Sequence, residues 1–587
     1  MTNKVLEIER ILNLDSDALA RELAGKYNSL RAQKFIKEQE WKEVRDYIFA
    51  TDTRTTTNVS NEHSNTTTIP KLAQIRDNLH ANYMDAIFPN EEWLIWDGDD
   101  EDAVAVDKRR VIEAYTRNKA LASGIRETMS DLLYDYIDYG NAFAEVIWVD
   151  ERHVDPVTGE EETTYVGPRV RRISPYDHVF DPTATSYDKS PKFTRYLKSI
   201  GELVKELKDR PELQYDKKVV DRLVDRRNAI SAFDHEEANK AEGYVADGFG
   251  SISEYLGSHL VEILEFEGDW FEIESGTLHE NKIITIADGQ FILRMIDNPN
   301  WFGKSNKVHV GWRNRSDNLY GMGPLDNLVG MQYRIDHLEN LKADAMDQTI
   351  RPPLGLKGMI EPFVWGPGER IHIPEDGSIE NLAPNPAAFQ VDNAIGFYLS
   401  MMEEMAGAPK QAAGIRSPGE KTKFEVQTLE NNAGRIFHSK TAKFEIKMLE
   451  KCMNLFLEAA RRNLSTKDVV KVIDTDFGVA NFMTITKDDI VAKGKIRPMG
   501  ARHFAARAQL LQSLNEVHGG PLGQLINPHT SRTALVNLLE ENLGLTKYQL
   551  YRENIGVSED QKTQQLVQQA QIGLQGESET PLEENLV

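Results

Sequence analysis

One stretch comes close to a phosphate-binding loop. Gly414-Ile415-Arg416-Ser417-Pro418-Gly419-Glu420-Lys421-Thr422 carries the glycines, lysine and threonine of that motif with one residue too many. The extra residue, Glu420, moves Lys421 and Thr422 out of register and puts a carboxylate where phosphates would sit. The residues before it read as helix, whereas a phosphate loop follows a strand. Nucleotide chemistry is not expected there. The run Asp97 to Asp102 offers alternate carboxylates, but a calcium loop needs an acid at its twelfth position, and Lys108 stands there. The single cysteine, Cys452, falls in an apolar helical stripe and reads as a small core residue. The 14 histidines form no ligand-spaced cluster. There is no HExxH, no GxSxG and no paired-cysteine metal spacing. The expectation is a protein that is not an enzyme, with no cofactor and no metal.

Composition sets the frame for what else the chain could do. At 587 residues and 40% hydrophobic it has length for several domains and a substantial core. One cysteine rules out an internal disulfide framework and fits a reducing cytoplasm. No run approaches the roughly eighteen apolar residues of a membrane span, and the N-terminus has no signal-type apolar core. The formal net charge of −24 argues against a protein that coats DNA generally.

Function must then be sought in long elements and in where charge lies on them. Tyr320 to Arg462 is the most ordered text. A helix is predicted to open at Gly321-Met322-Gly323-Pro324 and to end at Arg351-Pro352-Pro353, where the residue before proline leaves the α region. Residues 351–386 are turn punctuation around short apolar runs, a small β-rich insert. A second helix is predicted over 387–408. The two would form an antiparallel hairpin with the insert at its tip. A loop, 409–421, leads to a helix of roughly forty residues over 422–462, well past the usual globular length. Gly434 is its candidate kink.

Before this stretch, the polar run Thr51 to Thr68 cannot bury enough to stay ordered alone. A helix ending at Phe88-Pro89-Asn90 precedes an aromatic strand, Glu92 to Trp96, and one long helix is predicted from Val104 to Tyr139. Strands follow, and His259 to Trp312 reads as a mainly antiparallel sheet. After it, 468–473 and 482–485 read as strands rejoining that region. Helices and a Gln-rich, acidic tail end the chain.

The order helix, insert, helix, loop, long helix resembles phage portal (head-to-tail connector) proteins, most of all those of short-tailed phages. The residues carrying the resemblance are Tyr320-Gly321-Met322-Gly323-Pro324-Leu325, Arg351-Pro352-Pro353-Leu354 and Thr422-Lys423-Phe424-Glu425. Tyr139-Gly140-Asn141 to Asp181-Pro182 adds to it. The resemblance implies an α+β protomer: an N-terminal region and α/β wing (1–319), stem helices (320–350 and 387–408) and a β-rich clip (351–386). It further implies a tunnel loop (409–421), a long kinked wing helix (422–462), a wing return (463–517), a helical crown (518–560) and a tail (561–587).

It also implies a dodecameric homo-oligomer at one capsid vertex. Such a ring would be the channel for packaging and ejecting double-stranded DNA. It would be found in the virion and, during assembly, in the host cytoplasm. Its partners would be the terminase large subunit, major capsid and scaffolding proteins, and tail or adaptor proteins, with no membrane. The first stem helix carries Asp326, Asp336, Glu339, Asp344 and Asp347 against Arg334 and Lys342. The second carries Asp392, Glu403 and Glu404 and no cation. Such faces are what solvated helices carry; in a ring they would partly line the channel, repelling phosphate so that DNA slides. Lys410, Arg416, Lys421 and Lys423 outweigh Glu420 in the loop and its exit. By composition that is a basic surface loop; in a ring it would be a belt of weak DNA contacts. Two other classes stay open: a nucleotide-driven packaging motor subunit, and a scaffold ring that does not touch DNA.

Overall fold

Strands with apolar residues at both parities need cover on both faces, and the computed structural model of the chain provides it. The structure describes residues 17–57, 64–89, 93–98, 103–154, 161–210, 213–230, 260–273, 275–350, 354–357, 377–381, 390–406, 435–464, 468–473, 480–486, 490, 494–498, 500 and 535. The chain divides into two compact units: 1–97 with 119–464 and 494–498, and 98–118 with 465–493 and 499–587. Among the described residues no helix is long and apolar enough to cross a membrane.

The larger unit opens with α1 (Ala18–Ile48) and α2 (Lys71–Ile87), followed by the Trp-flanked strand β1 (Leu94–Gly98). The single helix expected from Val104 to Tyr139 is two, α3 (Ala103–Ala122) and α4 (Ile125–Asp138). Gly124 breaks it with φ of 74°, a left-handed conformation that costs glycine little. Then come β2 (Asn141–Val154), β3 (Glu161–Ile173), β4 (His178–Phe180) and β5 (Lys192–Ser199). The helices α5 (Ile200–Asp209) and α6 (Lys217–Ile230) precede β6 (Leu260–Glu272), β7 (Thr277–Ala287), β8 (Phe291–Asp297) and β9 (Lys307–Gly311). Two antiparallel sheets result, one ordered β3-β2-β9 and one ordered β4-β5-β6-β7-β8.

Strand parity explains how the five-stranded sheet is covered. Successive side chains point to opposite faces. Leu264 and Phe266 pack with Leu19, Leu23 and Tyr27 of α1. Val261 and Ile263, of the other parity, pack with Leu203 of α5 and Val220 and Leu223 of α6. Between the two sheets lies buried charge rather than hydrocarbon. Lys307 of β9 has no exposed side-chain surface and sits 2.7 Å from Glu265 and 3.4 Å from Glu267 of β6. Glu265 also meets Arg294 at 3.3 Å. Burial alone would raise the Glu265 carboxyl, but Lys307, with Arg294 and Arg171, holds it well below the usual carboxylate range. Glu145 of β2 accepts from Tyr196 of β5 at 3.2 Å and pairs with Arg171.

The hairpin β10 (Arg313–Arg315) and β11 (Asn318–Met322) leads to α7 (Val329–Ile350). The helix expected to open at Gly321 to Pro324 thus starts later, after a short 3-10 turn at Asp326–Leu328. The cause is local competition for backbone groups. The Asn141 side chain accepts from Gly321 N at 2.7 Å and donates to Gly321 O at 3.0 Å, and Gly323 N donates to Asp326 at 3.1 Å. Trp312 N donates to Gly140 O at 2.8 Å, so the chain segments at 140, 312 and 321 nearly touch.

A short antiparallel pair, β12 (Leu354–Lys357) and β13 (Ser378–Asn381), separates α7 from α8 (Val391–Ala406). After it, α9 (Arg435–Phe444), a π-helical segment Glu445–Glu450 and α10 (Lys451–Asn463) run on continuously. The described irregularity of this helix is that π turn. Gly434, the tunnel loop with Lys410, Arg416, Lys421 and Lys423, and the crown and tail lie outside the described residues, apart from single positions such as residue 535. In the smaller unit β14 (Asp468–Ile473) and β15 (Ala480–Ile485) pair with each other, not with another sheet as expected. It is β16 (Gly494–Pro498) that joins β1 in the larger unit. At the level of class the fold is α+β.

The close approach at Gly321 can be tested against an open glycine. A Cβ at Gly321 would lie 2.4 Å from Gly140 O and 2.9 Å from Gly311 Cα, whereas one at Gly330 in α7 meets nothing within 4 Å. Gly321→Ala should cost about 3 kcal/mol through backbone displacement. Gly330→Ala should gain about 1 kcal/mol. Thermal melts of the two variants check both signs.

Candidate functional site

The acidic residues singled out by the sequence lie on α7 and α8, and their partners fix the geometry of that pair. Lys342, late in α7, bridges Glu339 at 2.9 Å and Asp392, early in α8, at 2.8 Å. Glu403, late in α8, meets Lys71 of α2 at 2.5 Å, and the neighbouring Leu72 N donates to Gln332, early in α7. The two helices therefore run antiparallel, with β12 and β13 between them in sequence.

Three of the acids, Asp336, Asp344 and Asp347, hold a piece of the chain's own N-terminal region. Residues 64–69 lie extended along α7 and run against its direction. Asn65 N donates to Asp344 at 3.0 Å, Thr67 N to Asn340 at 2.8 Å and Ile69 N to Asp336 at 3.1 Å. Asn340 also donates to Thr67 O at 2.9 Å, and Gln332 to Ile69 O at 2.6 Å. Asn65 reaches Asp347 at 2.9 Å with its amide. The match is metrical. Four helical residues rise about 6 Å, and two extended residues advance about 6.6 Å. A polar side chain every fourth residue on α7 can therefore meet every second backbone N–H of the segment.

Asp336 is the centre of this clasp. It is fully buried and accepts from Ile69 N, from the Thr68 hydroxyl at 2.9 Å and from Gln332 at 2.9 Å. Burial raises its carboxyl to about 6, and those three donors oppose the rise. Glu339, Asp344, Asp347, Asp392 and Glu403 are thus engaged within the protomer, while Glu404 is exposed. Sequence reading missed Gln332 and Asn340. Their signal was present: two amide side chains eight residues apart with Asp336 midway between them, a polar row at every fourth residue.

The hairpin also carries uncovered apolar side chains. Leu341, Met346 and Ile350 of α7 are exposed, as are Phe397, Met401 and Met405 at every fourth residue of α8. Cys452 is buried against Met448, and burial pushes its thiol up to about 12, which suits a core residue. Among the described residues no group of His, Cys, Asp and Glu could hold a metal ion. No protein-family model matches the chain, and no curated protein matches it.

The clasp predicts an unusual pH response. A carboxyl raised from 3.8 to about 6 contributes stability that is full below pH 4 and lost as pH rises through 6. Asp336→Asn mimics the neutral form: its oxygen can keep Ile69 and Gln332, and its NH₂ can donate to the Thr68 hydroxyl. It should melt at or above wild type at pH 8, with the gap closing by pH 4. Asp336→Ala, which strands three donors, should melt lower at both. Melting curves of the three proteins at both pH values decide this.

Proposed function

We propose that the chain is a portal-type subunit, one of a ring through which double-stranded DNA is packaged and later ejected. The observation that carries this reading is the antiparallel pair α7 and α8, with a small β-hairpin between them and a long helix after them. A compact monomer has little use for such a projection. The pair and its insert expose Leu341, Met346, Ile350, Leu356, Phe397 and Met401, large apolar side chains of the kind that an interface covers. Neighbouring copies of the same hairpin are the natural cover, and a closed ring repeats one such contact around an axis. In this reading Glu404 and the exposed Asp347 present negative charge where adhesion of phosphate would be harmful. The terminase large subunit would dock at the β12–β13 end during packaging, and capsid, scaffolding, tail or adaptor proteins would meet the rest.

Light scattering on the purified protein tests the ring. A single species many times the 66.6 kDa of one chain is expected, with a central hole in negative-stain images. Phe397→Asp with Met401→Asp should shift that species towards monomer without changing the far-UV spectrum. A 66.6 kDa monomer of the wild type at every salt concentration would overturn the proposal.

A further inference from the structure

In a chain of net charge −24, one surface carries cations without acids. Lys440 and Lys443 of α9 and Lys447 of the π segment lie at i, i+3 and i+7, along one side of the continuous helix. The Lys440 ammonium donates to Trp312 O at 2.7 Å, and the Lys443 ammonium lies 3.4 Å from the same oxygen and 2.8 Å from Asn314 Oδ1. Arg313 joins them from β10. Its guanidinium carbon is 5.1 Å from the Trp312 ring centre, and the Lys440 ammonium is 4.4 Å from the same ring. Arg313 and Lys447 are exposed. No carboxylate of the described residues lies within ion-pair distance of any of the four; the next cation along, Lys451, is the one that is paired, with Asp188.

Three groups register the resulting positive field. Burial lowers Lys443 to about 8, with Lys440 and Lys447 adding to the fall. Burial and Arg313 lower Lys440. The ring of His309, buried behind them, is lowered to about 3 by burial and then by Lys443, Lys447 and Lys451. Crowding cations around one carbonyl is unfavourable unless an anion joins them, since each adds repulsion that only an opposite charge relieves.

We propose that Arg313, Lys440, Lys443 and Lys447 form a binding site for the phosphodiester backbone of duplex DNA. From Lys440 to Lys447 the helix rises about 10 Å. A strand of duplex places a phosphate about every 3.4 Å along its axis, so about three phosphates face the ladder. That charge density favours a nucleic acid over an acidic peptide. The chain's overall negative charge does not prevent the contact, because charges beyond about 8 Å are largely screened at physiological salt. The choice of duplex DNA rests on the portal-type reading; the site itself does not need a ring.

The test uses the full-length protein, a fluorescently labelled duplex and anisotropy titrations between 25 and 150 mM salt. Arg313→Gln, Lys443→Gln and Lys447→Gln are combined, leaving Lys440 on its carbonyl. The expected result is weaker binding, with the slope of log affinity against log salt reduced by about 2 to 3. The assembly seen by light scattering should be unchanged. An unchanged slope with assembly intact would overturn the site and leave the portal-type reading standing. A reduced slope in a protein that never assembles would keep the site and sink that reading. Loss of assembly in the variant alone would mean that the cations face a neighbouring copy, which also overturns the proposal. So would equal competition by polyglutamate of matched charge.

Discussion

Lys307 is a charged side chain that water does not reach, and the larger unit is built around it. It belongs to the three-stranded sheet, and its partners Glu265 and Glu267 belong to the five-stranded one. Desolvating such a trio is costly, and a hydrocarbon replacement of equal volume could be as stable. Breaking it by removing one member is another matter, since an uncompensated buried charge costs about 3–5 kcal/mol. The effect is geometric. Apolar faces can slide, but an ammonium between two carboxylates fixes which strand of one sheet meets which strand of the other. Glu145, Arg171 and Tyr196 repeat the arrangement alongside.

The same preference for polar fixing over apolar contact recurs where the helical hairpin leaves the sheets. Asn141 satisfies both backbone groups of Gly321, and Gln332, Asp336, Asn340 and Asp344 satisfy those of residues 65 to 69. One side of the hairpin is held by hydrogen bonds that specify register, while Met346, Ile350, Phe397, Met401 and Met405 are left apolar and exposed. A surface that is to meet copies of itself can be apolar only if its own protomer does not also collapse onto it.

Sequence patterns gave the helices, the antiparallel sheets and the hairpin with its small β insert, because apolar periodicity of 3.6 or 2 is written locally. They misplaced the start of α7, because the residue that prevents helix at Gly321 is Asn141, distant in the chain. They made one helix of α3 and α4, because a lone glycine is tolerated in helices and only its conformation marks Gly124 as a break. Residues 64 to 68 read as a segment with nothing to bury, which is true; what holds them is polar and comes from α7. The acids of α7 were visible, but the sequence does not say that they already have partners. Nor does the sequence reveal what holds Lys440, since the Trp312 carbonyl and ring that receive its ammonium come from a distant part of the chain.

The clasp between residues 64–69 and α7 also has a mechanical character. Its bonds at 336, 340 and 344 lie side by side along one axis, at nearly equal spacing. A pull directed along α7 loads them in shear, so that all must yield together. A pull that lifts the segment away from the helix loads them in turn, as a zipper, each failing at a small force. Tension along the hairpin is therefore resisted by the set, while detachment from one end meets one bond at a time. The attachment is stiff along the helix and soft across it.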